Sequence, residues 1–214
     1  MALTTYAELQ SSIKNWLKRS GVTGISTSAD MVVDFITLGE EELFSLLRVR
    51  SMESAGTLSC VAGTNTIALP TRFRAFKWLY VSGDPKIKLD LASGEQIFLE
   101  YAGSTNGKPK LFSYSADNLL LGPTPDSTYT IAYLAYIAPT ALSGSATTNT
   151  LYPRYASLYL YASLKAAFAF LEDDAQVQKY GALLDAGIKR AMREDMMDRH
   201  SGGTLRARSA GATP

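Results

Sequence analysis

The chain has few side chains suited to covalent chemistry. Its single histidine, His200, and its single cysteine, Cys60, fall in segments of different character. A Ser–His or Cys–His nucleophile would require His200 to fold back from a polar terminus, and a metal site requires clustered His, Cys and carboxylates. Carboxylates are abundant, and Glu100, Asp90 or Asp84 could in principle supply a two-carboxylate glycosidase pair. Any chain with 20 acidic residues offers such pairs, so their presence singles out nothing. No glycine-rich phosphate cradle of the P-loop or dinucleotide kind is present. Trp16 and Trp78 read as core or interface anchors rather than as a stacking platform. A β-domain reader of sugars or receptors, lined by Trp78, Tyr80 or Tyr101, is the competing binding reading. The sequence therefore predicts no catalytic residue, no cofactor and no metal.

Charge narrows the partners. Lys and Arg total 21 against 20 for Asp and Glu, a formal net charge of +1. Proteins that grip nucleic acid by its phosphates carry a basic excess, which is missing here. With 46% hydrophobic and 19% charged residues, the 214-residue chain can bury a substantial core. One cysteine excludes an intrachain disulfide and fits a reducing compartment of synthesis. The opening "MALTTYAELQ" has neither the basic nor the apolar region of a signal peptide.

The elements that must position any site alternate in type. Thr5 and Glu8 have capping-box spacing, and Leu9, Ile13, Trp16 and Leu17 then mark one face of a helix that stops at Gly21. A second helix follows Ala29, with Val32, Phe35, Ile36, Leu43, Leu46 and Leu47 on its buried side and Glu40, Glu41 and Glu42 solvated. From 51 to 139 the rhythm is that of short strands. "TLSCVAGTNTIALP" reads as a hairpin, "AFKWLYVSGDPKIKLD" as two strands about Gly83, and "KLFSYSADNLLLGP" as a hairpin turning near Ala116 and Asp117. Ser93 and Gln96 suggest a short capped helix between them. "YTIAYLAYIAP" is a strand apolar on both faces, ended by Pro139. After a polar linker a third long helix begins near Pro153. The run "EDD" at 172–174 favours a helix N-terminus, so a break near Leu171 and a fourth long helix from Asp173 are expected.

The predicted class is α+β. A four-helix bundle would be built from N- and C-terminal helix pairs (1–50 and 140–198), with an inserted antiparallel β-sandwich or barrel-like domain (51–139). An extended C-terminal tail (199–214) would follow.

The third long helix is the unusual element. Between Pro153 and Leu171 only Arg154 and Lys165 are charged. They lie 11 residues apart, three turns plus about 20°, so both occupy one narrow stripe. The rest divides into two apolar bands, Tyr155, Tyr159 and Phe170 on one and Leu160, Leu164, Phe168 and Leu171 on the other. Lys165 inside the segment makes a membrane span costly, about 3 kcal/mol. Either the same chain covers both bands, or a neighbouring copy covers one. The second case would make Tyr155, Tyr159, Leu160, Leu164, Phe168 and Phe170 a ring interface, because two different faces on one helix suit a head-to-tail contact. The tail from Arg199 has the composition of a disordered segment, with Leu205 its one large apolar residue. Arg199, Leu205, Arg206 and Arg208 are its candidate docking residues.

The ordered set "YAELQSSIKNWLKR", "FITLGEEELFSLLRVRSME", "TLSCVAGTNTIALPTRFRAFKWLYV", "KPKLFSYSADNLLLGPTPDSTYTIAYLAYI", "ALS" with Asn149, and "YPRYASLYLYASLKAAFAFLEDDAQVQKYGALLDAGI" spans residues 5 to 190. In this order the chain resembles the head-to-tail adaptor (connector) proteins of short-tailed bacteriophages, the group of tail tubular protein A and the P22-type tail accessory adaptor. The resemblance implies a structural virion protein rather than an enzyme. It implies a homo-oligomeric ring, usually a dodecamer, between the portal protein and the tail nozzle protein, assembled in the host cytoplasm. The ring would extend a channel through which DNA passes without sequence-specific binding, offer a docking surface to tail fibres, and hold the portal through its C-terminal segment. A tail-associated cell-wall hydrolase is the remaining alternative, with Glu100, Asp90 or Asp84 as its acids.

Overall fold

The computed structural model describes residues 3–19, 29–83, 85–101 and 106–200. It is an α+β protein, with five α-helices and two largely antiparallel sheets among the described residues. The chain divides into a helical unit, Met1–Ser51 with Thr140–Pro214, and a β unit, Met52–Pro139.

The helical unit contains α1 (Tyr6–Arg19), α2 (Ala29–Leu46), α4 (Tyr152–Phe170) and α5 (Asp174–His200). α1 starts where the capping box predicts: the Thr5 N–H donates to the Glu8 carboxylate at 3.0 Å and the Glu8 N–H returns to Thr5 Oγ1 at 3.4 Å. α4 ends in a left-handed residue, Glu172 (φ 57°). Its N–H reaches the Ala169 carbonyl, and the Asp173 N–H reaches that of Phe168, so the last turn of α4 is satisfied. Asp173 then accepts from the Gln176 N–H at 3.1 Å and opens α5. The acidic run therefore separates the two helices.

α4 packs against α1, α2 and α5. It runs antiparallel to α2, since Phe35 meets Phe170 at one end and Phe44 meets Tyr159 at the other. At the middle of this pair Gly39 lets the backbones approach. A Cβ there would lie 2.8 Å from the Ser163 nitrogen. On the opposite flank Phe168 stacks on Tyr180 of α5 at 5.3 Å, and Trp16 of α1 tilts against the same ring at 6.1 Å.

The β unit holds β1 (Glu53–Cys60), β2 (Thr66–Ala68), β3 (Phe73–Val81), β4 (Ile87–Lys88), β5 (Asp90–Leu91), α3 (Gly94–Tyr101), β6 (Leu111–Ser115), β7 (Asn118–Gly122) and β8 (Tyr129–Ile137). One sheet has the order β1-β8-β3-β4, the other β2-β7-β6-β5, with only β5–β6 parallel. Both sheets feed one core. Leu79, Val81 and Ile131 come from the first, Phe112, Leu119 and Leu121 from the second. Leu89 lies in the segment that passes from one sheet to the other. The β6–β7 hairpin turns at Ala116 (φ 51°) and Asp117, as expected, and Ser93 caps α3 by accepting from the Gln96 N–H at 3.0 Å.

Three expectations need correction. β1 and β2 are not a hairpin: β1 pairs with β8 and β2 with β7, because the "AGTN" turn carries the chain from one sheet to the other. Leu46 is exposed rather than buried. Of the glutamates taken as solvated, only Glu41 is exposed. Glu42 pairs with Lys165 of α4, and Glu40 is 3% exposed. Glu40 follows Ile36 by four residues and precedes Leu43 by three, so helical geometry puts it on the apolar stripe whatever its charge.

Candidate functional site

The apolar helix α4 carries all six residues expected to form a ring interface. Tyr155, Tyr159, Leu160, Leu164 and Phe168 are all buried within the chain. Tyr159 is held by its hydroxyl as well as its ring, donating to Asn149 Oδ1 at 3.0 Å and packing edge-on to Tyr152 at 5.2 Å. Phe170 differs. It leans on Phe35 yet stays 60% exposed, and Leu38, one turn along α2 from Phe35, is also exposed. The covering of α4 thus comes mostly from its own chain, the first of the two alternatives left open by its sequence.

Beneath α4 lies a polar hub centred on Asn149, which the sequence motifs include without assigning it a role. Asn149 Oδ1 accepts from the Leu151 and Tyr152 N–H groups at 3.0 and 2.9 Å, closing the start of α4. Its Nδ2 donates to the Thr140 carbonyl at 2.9 Å. The Tyr152 hydroxyl reaches the Thr5 carbonyl at 3.1 Å, and the Tyr6 N–H that of Thr147 at 2.9 Å. Both oxygens of Glu40 accept from the Leu142 N–H, at 3.0 and 3.2 Å. Residues 140–151 are thereby fastened to α1, α2 and α4. Burial pushes the Glu40 carboxyl up to about 7, against the opposing Leu142 hydrogen bond. Burial, helped by the charge of Glu8, pushes Tyr152 up to about 12, and burial raises Tyr159 as well.

At the far end of α5, Asp195 is buried. It accepts from the Arg50 N–H at 3.0 Å and from Arg199 Nε at 2.8 Å. Arg199, one of the four expected docking residues, is thus a helical residue with an intrachain partner. Leu205, Arg206 and Arg208 lie outside the described residues.

Among the described residues the candidate chemical groups lie on separate elements. Cys60 sits in the β core with its thiol donating to the Tyr129 carbonyl at 3.3 Å, and burial pushes its pKa up, the wrong direction for a nucleophile. The side chain of His200 and the whole of Asp84 lie outside the described residues. Asp90 pairs with Lys88 at 3.6 Å, and Glu100 lies on α3. Trp78 and Tyr80 adjoin at 5.4 Å on β3, whereas Tyr101 packs beside Gly122 of β7. A cleft of about 230 Å³ borders Trp78, with Phe76, Phe112 and Tyr114 among its walls. Among the described residues no group of His, Cys and carboxylates could hold a metal ion, and no helix is long and apolar enough to cross a membrane.

What the surface offers is apolar contact area. In the β unit Leu91, Phe98 and Leu99 are exposed, and on α5 so are Met196 and Met197. Large apolar side chains facing water on separate elements suit assembly better than catalysis. Comparison with curated protein sequences finds no match. A family model described as SU10 adaptor protein matches residues 4–208.

Proposed function

Since the chain belongs to the SU10 adaptor protein family, and so to the phage adaptors, we propose that it is a structural subunit of the virion neck, not an enzyme. In this reading identical subunits form a ring, a dodecamer by family resemblance, between the portal protein and the tail nozzle. The ring prolongs the DNA channel and offers its periphery to tail fibres. The four long helices serve as a bundle and the two sheets as a sandwich. The family match over residues 4–208 carries the proposal. The near-neutral charge supports it, because DNA must slide through such a channel without being gripped.

The α4 residues enter this proposal in altered form. Tyr155 and Tyr159, with Leu160, Leu164 and Phe168, build the wall from inside, and Phe170 with Leu38 presents it to the neighbour. Replacing Tyr159 with Asp would put a charge in the subunit's own core and so would not test the ring. Leu205, Arg206 and Arg208 form the portal anchor in this reading.

The test is co-sedimentation with the cognate portal ring, using the full chain beside one ending at His200, which retains the Arg199–Asp195 pair. Stoichiometric pelleting of the full chain alone is the expected result. A full-length protein that stays monomeric and unbound overturns the adaptor reading.

A further inference from the structure

We infer that the short helix α3 of the β unit docks on the outward face of α5 of a neighbouring copy, as a head-to-tail contact of the ring. The inference rests on the ring reading and names the surfaces that would meet in it.

α3 is an unusual surface helix. Ile97 is its one buried residue, while Phe98 and Leu99 are 71% and 68% exposed, and Leu91 on β5 is exposed as well. A free eight-residue helix has no reason to hold two large apolar side chains in water, and such residues mark contact sites. The charges on this helix have one sign: Glu95 and Glu100, both exposed, with no Lys or Arg between Gly94 and Tyr101.

The second half of α5 supplies the complement. Projecting the helix at 100° per residue places Tyr180, Leu184, Ile188, Ala191 and Asp195 on the buried side, in agreement with their burial. The opposite side carries Lys189, Arg190, Arg193, Met196 and Met197, all exposed, the two methionines at 65% and 64%. Glu194 flanks this face, where it pairs with Arg190 at 3.8 Å. Basic and apolar here meets acidic and apolar there. The α5 face is also long enough for α3, about 12 Å from Lys189 to Met197 against about 8 Å from Glu95 to Glu100 at about 1.5 Å per residue. Methionine adapts its shape to an aromatic partner such as Phe98, and sulfur–aromatic contacts are favourable.

The two surfaces differ, so the contact is heterologous: each subunit gives α3 to one neighbour and receives α3 from the other. One eight-residue helix covers much less than the area of a standard stable interface. The contact is therefore too weak to form dimers in solution and becomes effective when a template aligns many copies.

The experiment introduces Leu99→Cys and Met197→Cys together and applies a short thiol crosslinker to rings assembled on the portal. Native Cys60 is buried and serves as the background control. The expected result is a covalent ladder of oligomers from the double variant. An equimolar mixture of the two single variants should stop at dimers, because each chain then carries one reactive face. Rings that pellet with the portal yet give no ladder, or a crosslink confined to single chains, overturn the inference and leave the ring reading standing. Failure of the unmodified protein to form rings on the portal overturns both. As an independent arm, Glu95→Lys with Glu100→Lys should lower ring yield at least about tenfold, and adding Arg190→Glu with Arg193→Glu should restore it. All four positions are exposed, so an unchanged far-UV circular dichroism spectrum is expected. Ring yield unaffected by the charge reversal also counts against the contact.

Discussion

Glu40→Gln is the most informative single substitution in the helical unit. The folded protein holds Glu40 at about 7 against an ordinary 4.5, chiefly through burial. Because the folded value is the higher one, the fold favours the neutral acid. Its stabilising contribution is fully present below about pH 4.5 and is lost as the pH rises through about 7. At about 1.4 kcal/mol per pH unit, the gap between 4.5 and about 7 is worth about 3.5 kcal/mol, reduced to about 2 kcal/mol for solvent screening. Groups facing the carboxyl sharpen the effect: the Tyr6 and Tyr159 hydroxyls are themselves raised in part by its charge, and among the described residues the Leu142 N–H is its hydrogen-bond donor. Glutamine keeps the shape and one acceptor oxygen but cannot ionise. Thermal melts by far-UV circular dichroism should then show the variant melting about 4–8 °C above the parent at about pH 9, with a much smaller difference at about pH 5. Parallel pH profiles across that window would refute the reasoning, since they would mean that Glu40 ionises in the fold as easily as in the unfolded chain.

Three further substitutions probe the packing that shapes the helical unit. Gly39→Ala places a methyl 2.8 Å from the Ser163 nitrogen and 2.9 Å from the Ala162 carbonyl carbon. It should therefore destabilise by about 1–3 kcal/mol in urea titrations, although Gly→Ala inside a helix ordinarily stabilises; a gain in stability would refute the close approach. Asn149→Ala removes three accepted hydrogen bonds and one donated, leaving the Tyr159 hydroxyl unpaired. A loss of about 3 kcal/mol is expected. Adding Tyr159→Phe to that variant should cost little more, whereas fully additive losses would deny the coupling. Glu172→Gly relieves a left-handed conformation at the α4–α5 turn and should raise the melting midpoint through a gain of up to about 1 kcal/mol, and a fall would contradict the assigned backbone.

Much of the fold was legible locally. Thr5 with Glu8, Ser93 with Gln96 and the acidic run at 172–174 each act over one helical turn, and the elements they bound begin and end close to where those signals stand. The β6–β7 hairpin was readable for the same reason, since its two strands are joined by two residues. The pairing of β1 with β8 was not, because its partners, from Cys60–Tyr129 to Glu53–Tyr136, lie far apart in the chain and the "AGTN" turn looks the same whether its strands pair or part. Asn149 belonged to the quoted motifs, but its four bonds reach residues that only the fold collects.

The apolar periodicity of α4 establishes that most of its circumference must be covered; it cannot name the cover. Burial is a sum over neighbours distant in sequence, and in this protein α1, α2 and α5 supply most of it, leaving Phe170 at the margin. Glu40 marks the same boundary from the other side. Helical spacing alone placed it on the buried stripe, while its charge argued for water. The tertiary structure resolved the conflict, because the Leu142 N–H and the surrounding desolvation together determine which protonation state the fold prefers. The sequence by itself thus determined where the elements lie and which family they compose. Which faces remain open for partners was decided by packing between residues far apart in the chain, an interaction that no local pattern encodes.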